Sequence, residues 1–244
     1  MMHINRVNNR NFDEIRQFEI IPNYYRHMDG SCLIKCGNTH VICSATIDEK
    51  VPHFLKNTKS GWITAEYGML PCSCFERVER ESAKGKQSGR TLEIQRLISR
   101  SLRSVVDLKK LGEIQIRIDC DVIQADGGTR TASINGAFIA LYLICQKLLS
   151  KNIIKQNPIH SNVSAISAGI INGEARLDLD FLEDSHAEID SNFILSSSGQ
   201  IIEIQSCGEK RPFSESEFET LFNLAKKGCR EIVEKQNEIL NKIK

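Results

Sequence analysis

Two short stretches carry the residue types best suited to chemistry. Ser88-Gly89-Arg90-Thr91 and Asp126-Gly127-Gly128-Thr129-Arg130-Thr131 each set glycine beside arginine where a helical pattern begins. The first four amides of a helix lack intrahelical partners and the macrodipole leaves partial positive charge there, so a flanking arginine completes a pocket for phosphate. Glycine lets the backbone come close to the anion. Charge along the chain follows the same division. Residues 77–110 hold ten Lys or Arg against four Asp or Glu, whereas residues 174–190 hold seven acids against one Arg. The first segment suits phosphates and the second suits cations, although either alone reads equally well as a solvated face.

The elements that must position these turns are legible from periodicity. Ser31 to Cys36 and His40 to Ile47 read as strands joined at Gly37-Asn38, a hairpin signal. Trp62 to Met69 is a third strand, and Pro71 ends it before an irregular charged loop, Cys72 to Gln87. From Thr91 to Leu108, Ile94, Leu97, Ile98, Leu102, Val105 and Val106 fall at helical spacing, with Arg96, Arg100 and Arg103 as a second stripe. That stripe either binds a polyanion backbone or braces a subunit contact, and the second is slightly preferred. Ile114 to Ile123 alternates as a half-buried strand and runs into the second glycine turn, after which Thr131 to Leu149 is a mostly apolar, central helix. Beyond Asn157-Pro158, Val163 to Ile171 with Glu174 to Asp180, and Ile189 to Ser196 with Gln200 to Gln205, form two further hairpins. Ser214 to Ile243 is a long amphipathic helix with Ser214 or Ser216 as N-cap. The fold class is α/β (α+β) with mixed sheets and packed helices. The 244 residues form one domain, an N-terminal part to about 150 with the glycine turns and a C-terminal part from about 158 with the acidic segment.

Composition excludes several classes. A net charge of +1 argues against indiscriminate coating of nucleic acid, so any polyanion contact is local. Nine cysteines, scattered and never spaced C-x-x-C, fit reduced, buried thiols better than a zinc site or disulfide framework. The opening stretch to Arg16 is polar, and the longest apolar run, Ala137 to Cys145, falls short of the ~20 residues a membrane span needs. No membrane association and a cytoplasmic location are expected.

Three longer strings go further. Gly61-Trp62-Ile63-Thr64-Ala65-Glu66-Tyr67-Gly68-Met69-Leu70-Pro71, Lys84-Gly85-Lys86-Gln87 through Gly89-Arg90-Thr91, and Cys120 to Thr131 with its Asp126-Gly127-Gly128-Thr129-Arg130-Thr131 turn resemble the ribonuclease PH family, over nearly the whole chain. The resemblance implies the fold shared with polynucleotide phosphorylase and exosome rings. It also implies a phosphate-dependent 3′ to 5′ exoribonuclease, a tRNA nucleotidyltransferase that trims tRNA precursors, acts on structured RNA and works as a homo-hexamer, a trimer of dimers. Carried over residue by residue, it puts phosphate binding on Arg90, Gly128, Thr129 and Arg130. It puts a catalytic pair holding Mg²⁺ or another divalent cation on Asp184 and Asp190, with Asp178 a weaker candidate. RNA contacts fall on Arg77 and Arg80. The chain departs from the family at Cys72, where relatives often carry Arg, at Cys74-Phe75-Glu76 in place of Thr-His-Thr, and at Ser191 in place of Met.

Two other functions compete. A non-catalytic RNA-binding ring subunit is expected to lack Arg130 or Asp190, and this chain has both. A metal-dependent hydrolytic nuclease would use the acids but has no need for two arginine turns. His186, beside the acids, is expected to be an incidental exposed side chain.

Overall fold

The computed structural model describes Arg6 and residues 9–243, so most of the first eight residues of the polar leader lie outside the described residues. Among the described residues nine strands form two sheets. The first contains β1 (Phe18–Pro22), β2 (Gly30–Cys36), β3 (Thr39–Asp48), β4 (Trp62–Met69) and β5 (Gln115–Gln124), in the order β1-β2-β3-β5-β4. The second contains β6 (Val163–Ile171), β7 (Glu174–Leu177), β8 (Ile189–Ser196) and β9 (Ile201–Cys207), in the order β7-β6-β8-β9. All pairings are antiparallel except β4 with β5. A parallel neighbour requires a crossover. Here it runs through α1 (Glu81–Lys84), α2 (Gly89–Arg103) and α3 (Leu108–Leu111).

The centre of the molecule is α4 (Thr129–Ser150), which packs on β2, β3 and β5 on one side and β6 on the other. It is buried nearly all round. By length and composition it is apolar enough to cross a membrane, yet here it is a core helix, with Ile134, Phe138, Ile139 and Leu141 fully enclosed. Gly136 is required by packing, since a Cβ there would lie 2.6 Å from Cys43 Sγ on β3. The alternation expected in β5 holds, with Ile116, Ile118, Cys120 and Val122 all buried. The outer layer is α6 (Glu215–Ile243) against β6, β7 and β8. Ser214 is its N-cap: Glu217 N donates to Ser214 Oγ at 3.3 Å while Ser214 N donates to Glu217 Oε2 at 2.8 Å, a reciprocal capping box.

Four expectations shift. The helix begun at Gly89 ends at Arg103, because Asp107 caps a separate turn, accepting from Lys109 N at 3.1 Å. Val105 and Val106 are nevertheless buried. Strand β7 stops at Leu177, since Asp178 turns into the left-handed region with φ +55°. Strand β1 and a short helix, α5 (Phe181–His186), stand where no element was expected, α5 between the two C-terminal hairpins. Finally, two of the three stripe arginines are engaged within the chain. Arg100 pairs with Glu203 at 2.8 Å, and Arg103 donates to Ile63 O at 2.8 Å while lying 4.3 Å above the Trp62 ring.

Candidate active site

The two glycine turns arrive at one place by different means. At the first, Ser88 caps α2, its Oγ accepting from Thr91 N at 3.1 Å, and Glu81 accepts from Thr91 Oγ1 at 2.7 Å and Ser88 N at 3.1 Å. The Thr91 amide is thus already capped, and what this turn brings to the cavity is the Arg90 side chain. Gly89 has an ordinary φ, and a Cβ on it would meet nothing within 4 Å. The second turn does need glycine. Gly127 and Gly128 sit at φ +73° and +64°, and a Cβ on Gly127 would lie 2.6 Å from the Asp180 carbonyl carbon. No side chain caps α4, which leaves its first amides available to a ligand.

Arg90, Gly128, Thr129, Arg130, Asp184 and Asp190 line a single cavity of about 70 Å³, together with Ser167, Leu179 and Asn192. Arg130 is mostly buried and is held from β9: it donates to Gln205 Oε1 at 2.9 Å, and Gln205 in turn donates to Glu93 Oε1 at 2.9 Å. Thr129 Oγ1 lies 2.9 Å from the hydroxyl of Tyr67, whose pKa is raised by burial. Arg80 and Arg90 both line a neighbouring groove of about 350 Å³ that includes Tyr67, Gln87 and Asp121. Arg77 is exposed and borders neither space, and Phe75 beside it projects fully into solvent.

The acids sit on well-braced elements. Asp180 caps α5 in a capping box with Glu183, which presents Asp184 at the cavity. Glu183 is fully buried and pairs with Arg6 at 2.8 Å, Arg176 at 3.1 Å and Arg10 at 3.4 Å. Burial and the neighbouring Arg6 pull the Arg10 guanidinium down to about 10. Asp190 opens β8, opposite Gly169 and Cys207. Burial, then the nearby Asp184 charge, pushes its carboxyl up to about 6, with Arg130 and Arg90 acting in the other direction. Asp184 is raised as well, by burial, against the pull of Arg90 and Arg130. Two carboxylates that ionise reluctantly beside two arginines form a site that changes character with bound charge.

Asp178 does not join this pair. Both its oxygens are taken by Arg16, from Nη2 and from the backbone N at 2.7 Å each. The Arg16 guanidinium holds its carboxyl below the usual range even against burial. His186 is exposed, its Nδ1 facing Leu182 O at 2.9 Å. Glu81, Gln205, Glu183 and Arg16 all support site residues without a local signature in the sequence. Arg16 and Gln205 act on partners far away along the chain, and Glu183 on Arg6 and Arg10, while Glu81 reaches Ser88 and Thr91 across an irregular turn; no spacing rule registers either kind of contact.

Comparison with known proteins places the chain as a whole. Residues 14–145 match the 3′ exoribonuclease family, domain 1, and residues 161–228 match domain 2 of that family. Ribonuclease PH of Neisseria meningitidis serogroup C is 57% identical over 229 residues, spanning 94% of this chain and 95% of the relative. Ribonuclease PH of Neisseria gonorrhoeae is 56% identical over the same shares. Among solved structures, the Archaeoglobus fulgidus exosome with RNA bound to the active site superposes with a TM-score of 0.81 at 22% identity, over 94% of this chain and 92% of that one. An archaeal exosome core gives 0.75 at 22% identity, over 95% and 91%. At such identity the structures share the fold, whereas the sequence relatives and both halves of the family model agree along almost the whole length. The chain therefore belongs to the ribonuclease PH family of 3′ exoribonucleases.

Proposed function

We propose that this protein shortens RNA from its 3′ end by phosphorolysis, releasing nucleoside diphosphates, with the 3′ ends of tRNA precursors as substrate. The observation that carries the reading is the shared cavity: two arginines, the open amides of α4 and two carboxylates converge from four elements. Phosphorolysis requires inorganic phosphate beside the last phosphodiester, with both anions neutralised so that a phosphate oxygen can attack in line. Arginine suits this, being permanently charged and bidentate. In this reading Arg90, Arg130 and the amides and hydroxyl of Gly128 and Thr129 hold the attacking phosphate. Arg80, in the adjoining groove, and the exposed Arg77 contact RNA.

Asp184 and Asp190 fit a divalent cation of the Mg²⁺ type. Among the described residues no cluster of three or more His, Cys, Asp or Glu is arranged to hold a metal. Two carboxylates with the remaining positions left to water and phosphate oxygens is how Mg²⁺ is commonly bound in phosphoryl-transfer sites. Bound there, the cation would supply charge stabilisation for the departing 3′ oxygen. We further propose that residues 1–244 act as one folded domain, assembled as a homo-hexameric ring in the cytoplasm. Nine free thiols suit a reducing compartment.

The test is incubation with Mg²⁺ and a tRNA bearing a short 3′ extension, with and without inorganic phosphate. Diphosphates appearing only with phosphate are expected. Monophosphates without phosphate would replace the reading with hydrolysis, and tight RNA binding without product would replace it with a non-catalytic ring subunit.

A further inference from the structure

Arg16 precedes β1 and belongs to no helix or strand, yet it is buried against the glycine turn. Its Nη1 donates to Asp126 O at 2.6 Å and approaches Gly127 O at 3.5 Å, and its Nη2 donates to Asp178 Oδ1 at 2.7 Å. The guanidinium packs so closely that a Cβ on Gly128 would lie 2.8 Å from Nη2. It holds this position although its Nε is buried without a hydrogen-bond partner among the described residues, and an unpaired buried donor is costly. Thr39 Oγ1 secures the same turn, donating to Gly127 O at 2.6 Å. The carbonyls of Asp126 and Gly127 are thus occupied by these donors, while no side chain caps the first amides of α4.

The other end of this contact reaches the opposite wall. Asp178, left-handed at φ +55°, donates its N to Ser167 O at 2.7 Å, and Leu179 N donates to Ser167 Oγ at 3.0 Å. Ser167 and Leu179 both line the cavity, and Asp180, two residues on, caps the helix that presents Asp184. One guanidinium therefore connects the phosphate turn with the segment bearing the acids.

Resting on the phosphorolytic reading, we infer that Arg16, oriented by Asp178, is a positioning residue that fixes the Asp126–Gly128 turn in its phosphate-binding form. Arginine's planar fork serves Asp126 O and Asp178 Oδ1 from two separate nitrogens in fixed geometry, which a lysine's single, freely rotating ammonium does not reproduce. Arg16→Lys is expected to raise the KM for phosphate by about 10- to 100-fold, the scale on which a misplaced group acts. The KM for RNA and kcat at saturating phosphate should stay within a few-fold. Asp178→Asn should move the KM for phosphate in the same direction. Leu221→Ala, on the buried face of α6, serves as a variant that loses stability alone, and its KM for phosphate should match the native value.

The experiment varies inorganic phosphate in steady-state assays of these proteins and, separately, measures the rise in Tm that inorganic phosphate gives each without RNA. A raised KM with a reduced Tm rise in Arg16→Lys, both absent from Leu221→Ala, supports the assignment. A native KM and Tm rise in Arg16→Lys, with lowered Tm alone, would overturn it. If Arg16→Lys does not fold, Asp178→Asn decides by the same two readouts. Failure of the phosphorolytic reading shows differently, as native protein that releases no diphosphate.

Discussion

Arg90 and Arg130 face the same cavity but are held differently, and this sets what each substitution should do. Arg130 is mostly buried and fixed by Gln205, whereas Arg90 is exposed at the mouth. Arg130→Ala is expected to lower phosphate-dependent turnover by about 10²- to 10³-fold, the effect of removing one preorganised charge-stabilising group. RNA binding, measured by filter retention, should persist, since the defect lies in the attacking group. Gln205→Ala should raise the KM for phosphate less severely by letting Arg130 swing toward Glu93, 3.6 Å away. Asp190 sets the pH behaviour. Its folded pKa is raised to about 6, so it takes up a proton as pH falls through that value and binds a cation less well below it. By linkage its protonated form favours the cation-free fold at low pH, and that contribution is lost as pH rises through about 6. The increase in Tm on adding Mg²⁺ should therefore be larger at pH 7.5 than at pH 5.5, and should shrink in Asp190→Asn at the higher pH. An equal Mg²⁺ effect at both pH values would remove Asp190 from the cation site.

At the scale of elements, α5 depends on a buried acid far more than on its six residues. Glu183 answers three arginines from the leader and β7, so Glu183→Gln removes the carboxylate that pairs with buried Arg6 and one of those facing Arg10 and Arg176, which keep Asp178 and Glu174. A loss of about 3–5 kcal/mol in urea denaturation is expected, with Asp184 displaced and turnover falling even where the protein stays folded. A cost below about 1 kcal/mol would show that the arginines find other partners. This also marks where sequence was readable. Alternation in β5, the hairpin turns at Gly37 and Gly173, the apolar run of α4 and the Ser214 cap all follow local rules, and the structure has them. The acidic segment was legible as a charge bias, but its division of labour was not. Asp178 is spent on Arg16 and Glu183 on Arg6 and Arg10, all more than 160 residues away, as well as on nearby Arg176; Asp180 is spent on a cap, and only Asp184 and Asp190 of this segment reach the cavity. Helix α2 was overextended because Val105 and Val106 keep the apolar spacing after the backbone has turned toward Asp107. Burial without helix continuation is invisible to periodicity.

For the molecule as a whole, α4 couples the two sheets, and one cluster of buried side chains runs from Ile20 and Ile34 to Val163, Ile194 and Leu240. A shared core of this kind should unfold cooperatively. Trp62, the single tryptophan, sits in the first sheet against Phe54 and Arg103, so its fluorescence reports that half, whereas far-UV circular dichroism reports all elements. The two transitions are expected to coincide in urea, and two separated midpoints would divide the chain into independent domains. If the ring forms, Tm should rise with protein concentration.

The position of α4 also bears on how the chain is made. Its first-sheet partners precede it, but β6, which covers its other flank, begins at Val163, thirteen residues after the helix ends at Ser150. Synthesis proceeds at about 5–20 residues per second and earlier segments fold first. For an interval on the ribosome, a helix with the length and apolar character of a membrane span is therefore sheathed on one flank only. A nascent chain arrested between Ser150 and Val163 should engage chaperones, or membrane-insertion machinery, that the finished protein has no surface to attract.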